Sequence, residues 1–82
     1  MNSHTFQAQL SPSYVILVEE MRAAGSWVVG IRGPCPLTEH LQPSMDLKNA
    51  KREAYSLSRR HFLEKAIAEI PIEFEDLSWI SY

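Results

Sequence analysis

The apolar run at residues 14–18, Tyr-Val-Ile-Leu-Val, most constrains what this chain can fold into. Both of its alternating faces are apolar, which is typical of a central β-strand that is covered on two sides. Glu19 and Glu20 follow the run and indicate where the strand emerges into solvent. The run is also much shorter than the roughly 18 apolar residues that a transmembrane helix requires.

The segments on either side predict further strands. Residues 4–10 alternate apolar and polar side chains, as a half-buried strand does. A loop at residues 22–26 leads to a return strand at residues 27–32, in which Gly30 indicates a bulge or the close approach of another backbone. Residues 70–82 resume the alternation with a phase slip typical of a bulge, and we expect this terminal strand to pair with a sheet edge or with a partner.

A long helix is predicted before the terminal strand. Ser44 is the expected N-cap, and the helix should run over residues 45–70 because Pro71 cannot continue it. Its apolar side chains form two stripes that differ by about a third of a turn. Either the helix is kinked near residues 59–60, or it contacts two different bodies along its length.

These elements give the order β-β-β-α-β in one α+β domain over residues 1–82, a small antiparallel sheet with one long helix packed on it. Ala50 and Ala54 in the first helical stripe would let the helix lie close on the sheet. Residues 33–43 contain three prolines without periodicity and are expected to form a connecting loop. A chain of 82 residues has room for one core only.

The cysteine content and the N-terminal residues bear on location. Cys35 is the single cysteine, so no internal disulfide is available to stabilise the fold. The first ten residues are polar and carry no lysine or arginine, unlike a secretory signal peptide. We therefore expect a cytoplasmic protein whose stability depends on its core, on an oligomer or on a partner.

The side chains that could carry catalysis are scattered along the chain. A catalytic Cys35 would need a nearby histidine or a helix N-terminus to lower its pKa, and His61 is expected on the helix surface. Cys35, Glu39 and His40 lack the spacing of a zinc site with a second ligand pair. Neither a phosphate-binding glycine loop nor a dinucleotide fingerprint is present. We predict a non-enzymatic protein without catalytic residues, metal or cofactor.

The predicted helix concentrates positive charge. Residues 48–60 contain five lysine or arginine residues and a single carboxylate. Lys48, Arg52 and Arg59 project within about 40° of each other at helical spacing, and Arg60 flanks them. We call these four residues the basic stripe. Phosphate contacts through this stripe make nucleic-acid binding the alternative function, although no aromatic residue alternates with the cations as a base-stacking surface would require.

Large aromatic and aliphatic side chains favour a protein contact instead, since interfaces are enriched in tryptophan and tyrosine. They concentrate in residues 71–82, which also hold three carboxylates and no lysine or arginine. Core packing is the competing interpretation, above all for Trp27. The primary hypothesis is a regulatory or inhibitory protein-interaction module that forms a homodimer. Its predicted interface consists of Trp27, Phe74, Leu77, Trp79, Ile80 and Tyr82.

Residues 14–54 also resemble the domain of HicB-type antitoxins. The parallel runs through an apolar strand at residues 14–16, a turn and strand at residues 25–29, the Gly-Pro-Cys loop at residues 33–35, a helix N-cap at Ser44, and the helical segment at residues 49–54. This chain departs from the family in its loop order, which is Gly-Pro-Cys rather than Pro-Gly-Cys, and in its more basic helix. The resemblance implies a small sheet-and-helix module that sequesters a partner protein.

Overall fold

Four consecutive strands form an antiparallel meander, and a fifth is added by the C-terminal end of the chain. The computed structural model describes residues 5–21, 26–41 and 46–81. In chain order the elements are β1 (Thr5–Ser11), β2 (Tyr14–Met21), β3 (Ser26–Arg32), β4 (Leu37–His40), α1 (Leu47–Glu64), a 3₁₀ turn (Phe74–Asp76) and β5 (Ile80–Ser81). The strands lie in the order β4-β3-β2-β1-β5. The predicted α+β class, an antiparallel sheet with one long helix, is confirmed.

One face of the sheet is covered by α1, and we call it the covered face. Ala50 and Ala54 are fully buried there, which confirms the close approach of helix and sheet. Burying the methyl group of an alanine contributes about 0.8 kcal/mol. The strands contribute Ala8, Leu10, Tyr14, Ile16, Val18, Trp27, Val29 and Ile31 to this core, and Leu41, Tyr55, Phe62 and Leu77 complete it.

The region predicted as a loop contains a short strand. β4 pairs antiparallel with β3, from Leu37 opposite Ile31 to His40 opposite Val28. The expectation of a plain connecting loop over residues 33–43 is therefore wrong. Prolines flank these four residues without interrupting them, and an edge strand this short needs no periodic signal to pair.

The helix begins later and ends earlier in the chain than predicted. Asp46 is the N-cap, and its Oδ1 accepts a hydrogen bond from the Asn49 N–H at 2.9 Å, while Ser44 lies outside the described residues. The predicted end at residue 70 is wrong, because Ala66 adopts a left-handed φ of 53°. The N–H of Ala66 bonds to the Leu63 carbonyl at 3.2 Å and that of Ile67 to the Phe62 carbonyl at 2.9 Å, closing a Schellman motif.

The second helical stripe forms only in part, because α1 ends before Ala66, and Phe62 packs on Tyr14 of the sheet with 4.9 Å between the ring centroids. α1 runs as one α-helix from Leu47 to Glu64. It contacts the sheet through its buried alanines and contacts the chain that follows it through Tyr55, whose ring lies 5.6 Å from that of Phe74.

The terminal segment, for which a strand over residues 70–82 is predicted, contains less strand than expected. Only Ile80–Ser81 pairs, antiparallel with β1, and this confirms that the segment reaches a sheet edge. Before it, the Ile72 N–H donates to the Leu10 carbonyl at 2.8 Å, and residues 74–76 form a 3₁₀ turn in place of an extended strand. Gly30 pairs regularly with Leu17, so the bulge considered there is absent; the register shift falls between Gln9 and Ser11.

Candidate functional site

The basic stripe lies on the exposed side of α1, where it meets the terminal segment of the same chain. The Arg52 guanidinium lies 5.1 Å from the centre of the Phe74 ring. Lys51, next to the stripe, places its Nζ 5.0 Å from the Phe6 ring and 5.1 Å from the Trp79 ring. Cation–π contacts of this kind contribute about 0.5–1 kcal/mol each at exposed sites. The two surfaces predicted separately from the sequence thus pack on one another.

Tyr55 is the residue that ties this contact together. Its hydroxyl donates to the Ile72 carbonyl at 2.7 Å and accepts a hydrogen bond from Arg59 Nη1 at 3.3 Å. The bond from Arg59 to Tyr55 raises the pKa of the guanidinium, and the charge of Glu73 raises it further. A carboxylate of the terminal segment therefore lies within electrostatic reach of the basic stripe.

The predicted interface residues are distributed between core and surface. Trp27 and Leu77 are 7% and 9% exposed and belong to the core of this chain. Phe74 and Trp79 are half-buried against that core. Ile80 presents its side chain, at 56% exposure, and Tyr82 lies outside the described residues.

Lys48 and Arg60, the outer members of the basic stripe, are exposed. Arg52 and Arg59 are exposed as well, but both contact aromatic rings through their guanidinium groups. The helix therefore presents an exposed cationic side, part of which is engaged by aromatic residues of its own chain.

His61 and Cys35 form a structural contact that the sequence interpretation missed. The expectation that His61 lies on the helix surface is wrong, since it is 5% exposed. Its Nε2 lies 2.8 Å from the Cys35 carbonyl oxygen, and because that oxygen only accepts, Nε2 carries the hydrogen. The Cys35 N–H donates to the Tyr14 hydroxyl at 3.1 Å. The imidazole thus holds the backbone of this loop. Its position seven residues after Ala54 was the available signal.

The chain after α1 is anchored to the turn between β1 and β2 by Glu69. Its Oε1 accepts hydrogen bonds from the Ser11 hydroxyl at 2.6 Å and from the Ser13 N–H at 2.9 Å. These bonds, that of Ser11 foremost, lower the pKa of the Glu69 carboxyl. Residues 67–71 are thereby held beside the last turn of the helix.

An apolar groove lies between the end of α1 and this returning chain, and we call it the helix-end groove. Its volume is about 290 Å³. Leu63 and Ile70 stand at its sides, 81% and 83% exposed. The groove is lined by Arg59, Phe62, Leu63, Ile67, Ala68, Glu69, Ile70 and Pro71. Two large exposed aliphatic side chains thus line one groove, which makes the groove a candidate contact surface.

The second face of the sheet is not covered by α1, and we call it the open face. By register it carries Val15, Leu17 and Glu19 from β2, and Val28 from β3. These side chains are only half-buried, in contrast to their neighbours on the covered face. A depression of about 240 Å³ lies on it beside Gly30.

Comparison with known proteins gives no relative: no protein-family model, curated protein or solved structure matches this chain. Within residues 5–21, 26–41 and 46–81, no helix is long and apolar enough to cross a membrane. In the same part of the chain, no three histidine, cysteine or acidic side chains are grouped as metal ligands would be.

Proposed function

We propose that this chain is a non-enzymatic interaction module, antitoxin-like, inhibitory or regulatory, that acts by binding a partner protein through the helix-end groove. The observation that carries the proposal is the exposure of Leu63 and Ile70 beside a groove floored by Phe62 and Ile67. Interfaces place apolar side chains at their centre and polar ones around them.

The energetics of the groove favour an occupant. Leu63 and Ile70 are exposed almost fully, and each would contribute about 1.5–3 kcal/mol if a partner buried it completely. Arg59 at the rim supplies a guanidinium, the charged group that interfaces favour most. A partner presenting an apolar anchor residue beside a carboxylate has the chemistry that fits this surface.

The Schellman motif keeps the groove in shape. It turns the chain sharply after α1, and Glu69 fixes the returning segment to the β1–β2 turn. A groove held by hydrogen bonds at both ends loses little conformational entropy when it is filled, which favours binding. The resemblance of residues 14–54 to HicB-type antitoxins implies the same class of function, while the groove itself lies outside those residues.

The test is co-purification from the native host with a tagged chain, quantified by mass spectrometry. Leu63→Glu and Ile70→Glu place a charge in the groove. Each should change stability by no more than about 0.5 kcal/mol, because the replaced side chains are exposed. Both variants should reduce the captured partner at least tenfold.

Asn49→Glu is the matched control. It adds the same charge on an exposed position of the same helix, about 21 Å from Leu63 along the axis. The control should capture as much partner as the wild-type chain. Equal capture by the groove variants would contradict the proposed surface, and the absence of any stoichiometric partner of the wild-type chain would contradict the function.

The alternative function is nucleic-acid binding through the basic stripe, favoured by the exposed alignment of Lys48, Arg52 and Arg59 on α1. The nearby Glu73 and the ring contacts of Arg52 and Arg59 weaken it, since they neutralise or occupy part of the stripe. Titration with a duplex and with a single strand at low and moderate salt distinguishes the two functions. Binding that weakens steeply with salt, and whose salt slope falls by about one in Lys48→Glu, would favour the alternative.

A further inference from the structure

The open face carries apolar side chains that the described part of the chain leaves partly exposed to solvent. Val15, Leu17 and Val28 project from the two central strands, yet they are only half-buried. β1 beside them carries Thr5, Gln7 and Gln9 on the same face, and β4 on the other side carries Thr38 and His40. An apolar centre between two polar borders is the arrangement of a protein interface.

Gly30 makes the centre of this face accessible to another sheet. It pairs with Leu17 in the middle of the face, and the depression of about 240 Å³ lies beside it. A Cβ added at Gly30 would lie 3.7 Å from Leu17 Cδ1, an ordinary contact, so the chain's own packing leaves room for a side chain there. The space is therefore available to an approaching surface.

Two residues of opposite charge have their backbones at diagonal corners of the apolar centre. Arg32 on β3 pairs in register with Val15, and Glu19 on β2 pairs with Val28. The two Cα atoms are thus roughly 14 Å apart from strand geometry. Neither side chain forms an ion pair with any residue that the structure describes. A positive and a negative corner on one face form a pattern that is complementary to itself.

We propose that a second copy of the chain covers the open face, related by a two-fold axis that lies between the sheets and crosses β2 and β3 near the Leu17–Gly30 pair. This axis places Arg32 of each copy opposite Glu19 of the other. Leu17 of the two copies then meets at the centre. A two-fold contact between identical surfaces requires this kind of self-complementarity.

The size of the face sets the strength of the association. Five strands and seven residues measure at most about 19 by 24 Å, or roughly 450 Å² in projection for each copy. About 900 Å² for the pair lies below the roughly 1,200 Å² at which stable interfaces begin and falls in the range of weak, transient ones, so the dimer should dissociate on dilution. The site is separate from the helix-end groove, which lies beyond the other face of the sheet.

Sedimentation velocity from low to high micromolar concentration tests the proposal. The wild-type chain should pass from monomer to dimer. Glu19→Arg and Arg32→Glu each place like charges opposite one another twice in the dimer, and each should weaken dimerisation at least about tenfold. The doubly exchanged chain, with Glu19→Arg and Arg32→Glu together, should dimerise again.

Mixing the two single variants gives the sharpest result. In a mixed pair both corners again carry opposite charges, so equimolar Glu19→Arg and Arg32→Glu should form a heterodimer although each alone is monomeric. A folding defect would not be repaired by mixing. Leu63→Glu, which changes the helix-end groove, should dimerise like the wild-type chain whether or not the proposed function holds. A chain that stays monomeric throughout, or a dimer indifferent to these charge reversals, would overturn the proposal.

Discussion

The covered face and the open face of the sheet are built from the same strands and differ in what packs on them. Ile16 and Val18 on the covered face are completely buried under α1, whereas Leu17 between them is half-buried on the open face. The apolar run at residues 14–18 predicts cover on both sides, and among the residues that the structure describes, only one side receives it. A strand that is apolar on both sides can therefore indicate a second contact surface beyond the helix that covers the first.

The largest expected effect is a difference in stability between substitutions at two adjacent residues, Ile16 and Leu17. Ile16→Ala removes a fully buried side chain and should lower the free energy of unfolding by about 3 kcal/mol, because a cavity remains under the helix. Leu17→Ala should cost the monomer less than about 1.5 kcal/mol, since solvent already reaches this side chain. Urea denaturation at low micromolar concentration measures both. Equal losses of unfolding free energy in the two variants would contradict the difference in burial between the two faces.

Two glycines differ in the space that surrounds them. A Cβ at Gly33 would lie 2.5 Å from the Tyr14 ring and 2.6 Å from the Ser13 carbonyl oxygen, so Gly33→Ala should lower the free energy of unfolding by about 2 kcal/mol. Gly30→Ala on the open face meets only ordinary contacts and should change it by no more than about 0.5 kcal/mol. Thermal unfolding of the two variants provides the measurement, and a larger loss in Gly30→Ala would contradict the open space described beside it.

The turn that ends α1 can be tested by substitution at Ala66. Ala66 has a left-handed φ of 53°, a conformation that glycine adopts without the steric cost of a Cβ. Ala66→Gly should therefore raise the free energy of unfolding by about 0.5–1 kcal/mol. Ser56→Gly in the middle of the helix is the control and should lower it by about that amount. A destabilised Ala66→Gly chain would indicate that the turn is not strained.

The smallest expected effect is a pH dependence of the stability that the Glu69 carboxylate contributes. Hydrogen bonds from Ser11 and Ser13 lower the pKa of Glu69 in the folded chain. The carboxylate thus contributes stability that is complete above its unfolded pKa and is lost as the pH falls through the lower folded pKa. The stability difference between the wild-type chain and Glu69→Gln should shrink on acidification, as followed by urea denaturation at a series of pH values. A constant difference would mean that these bonds do not favour the charged form.

The strands could be predicted because their signal is local. Alternation over residues 4–10, the run at residues 14–18 and the return at residues 27–32 each correspond to a strand of the meander. The alanine stripe of α1 likewise predicted which side of the helix lies on the sheet. β4 was missed because four residues between prolines carry no period, and their pairing depends on the neighbouring edge of β3.

The candidate site could be predicted only in part. The sequence shows that the basic stripe and the aromatic terminal segment exist and carry opposite charge, but not that they contact each other through Tyr55 and Phe74. The helix-end groove was missed because it depends on where the helix stops. Ala66 carries no signal for that end, since glycine is the usual residue at a left-handed position.

The amino-acid sequence alone establishes the class of fold, the central strand with two apolar sides and the two charged segments. These follow from periodicity and composition, which act over a few residues. Three further features depend on the assembled fold: α1 covers one side of the sheet, the terminal segment folds back on the basic stripe, and Leu63 and Ile70 remain exposed. Contacts between residues distant in the chain settle these points, because burial depends on which surfaces meet.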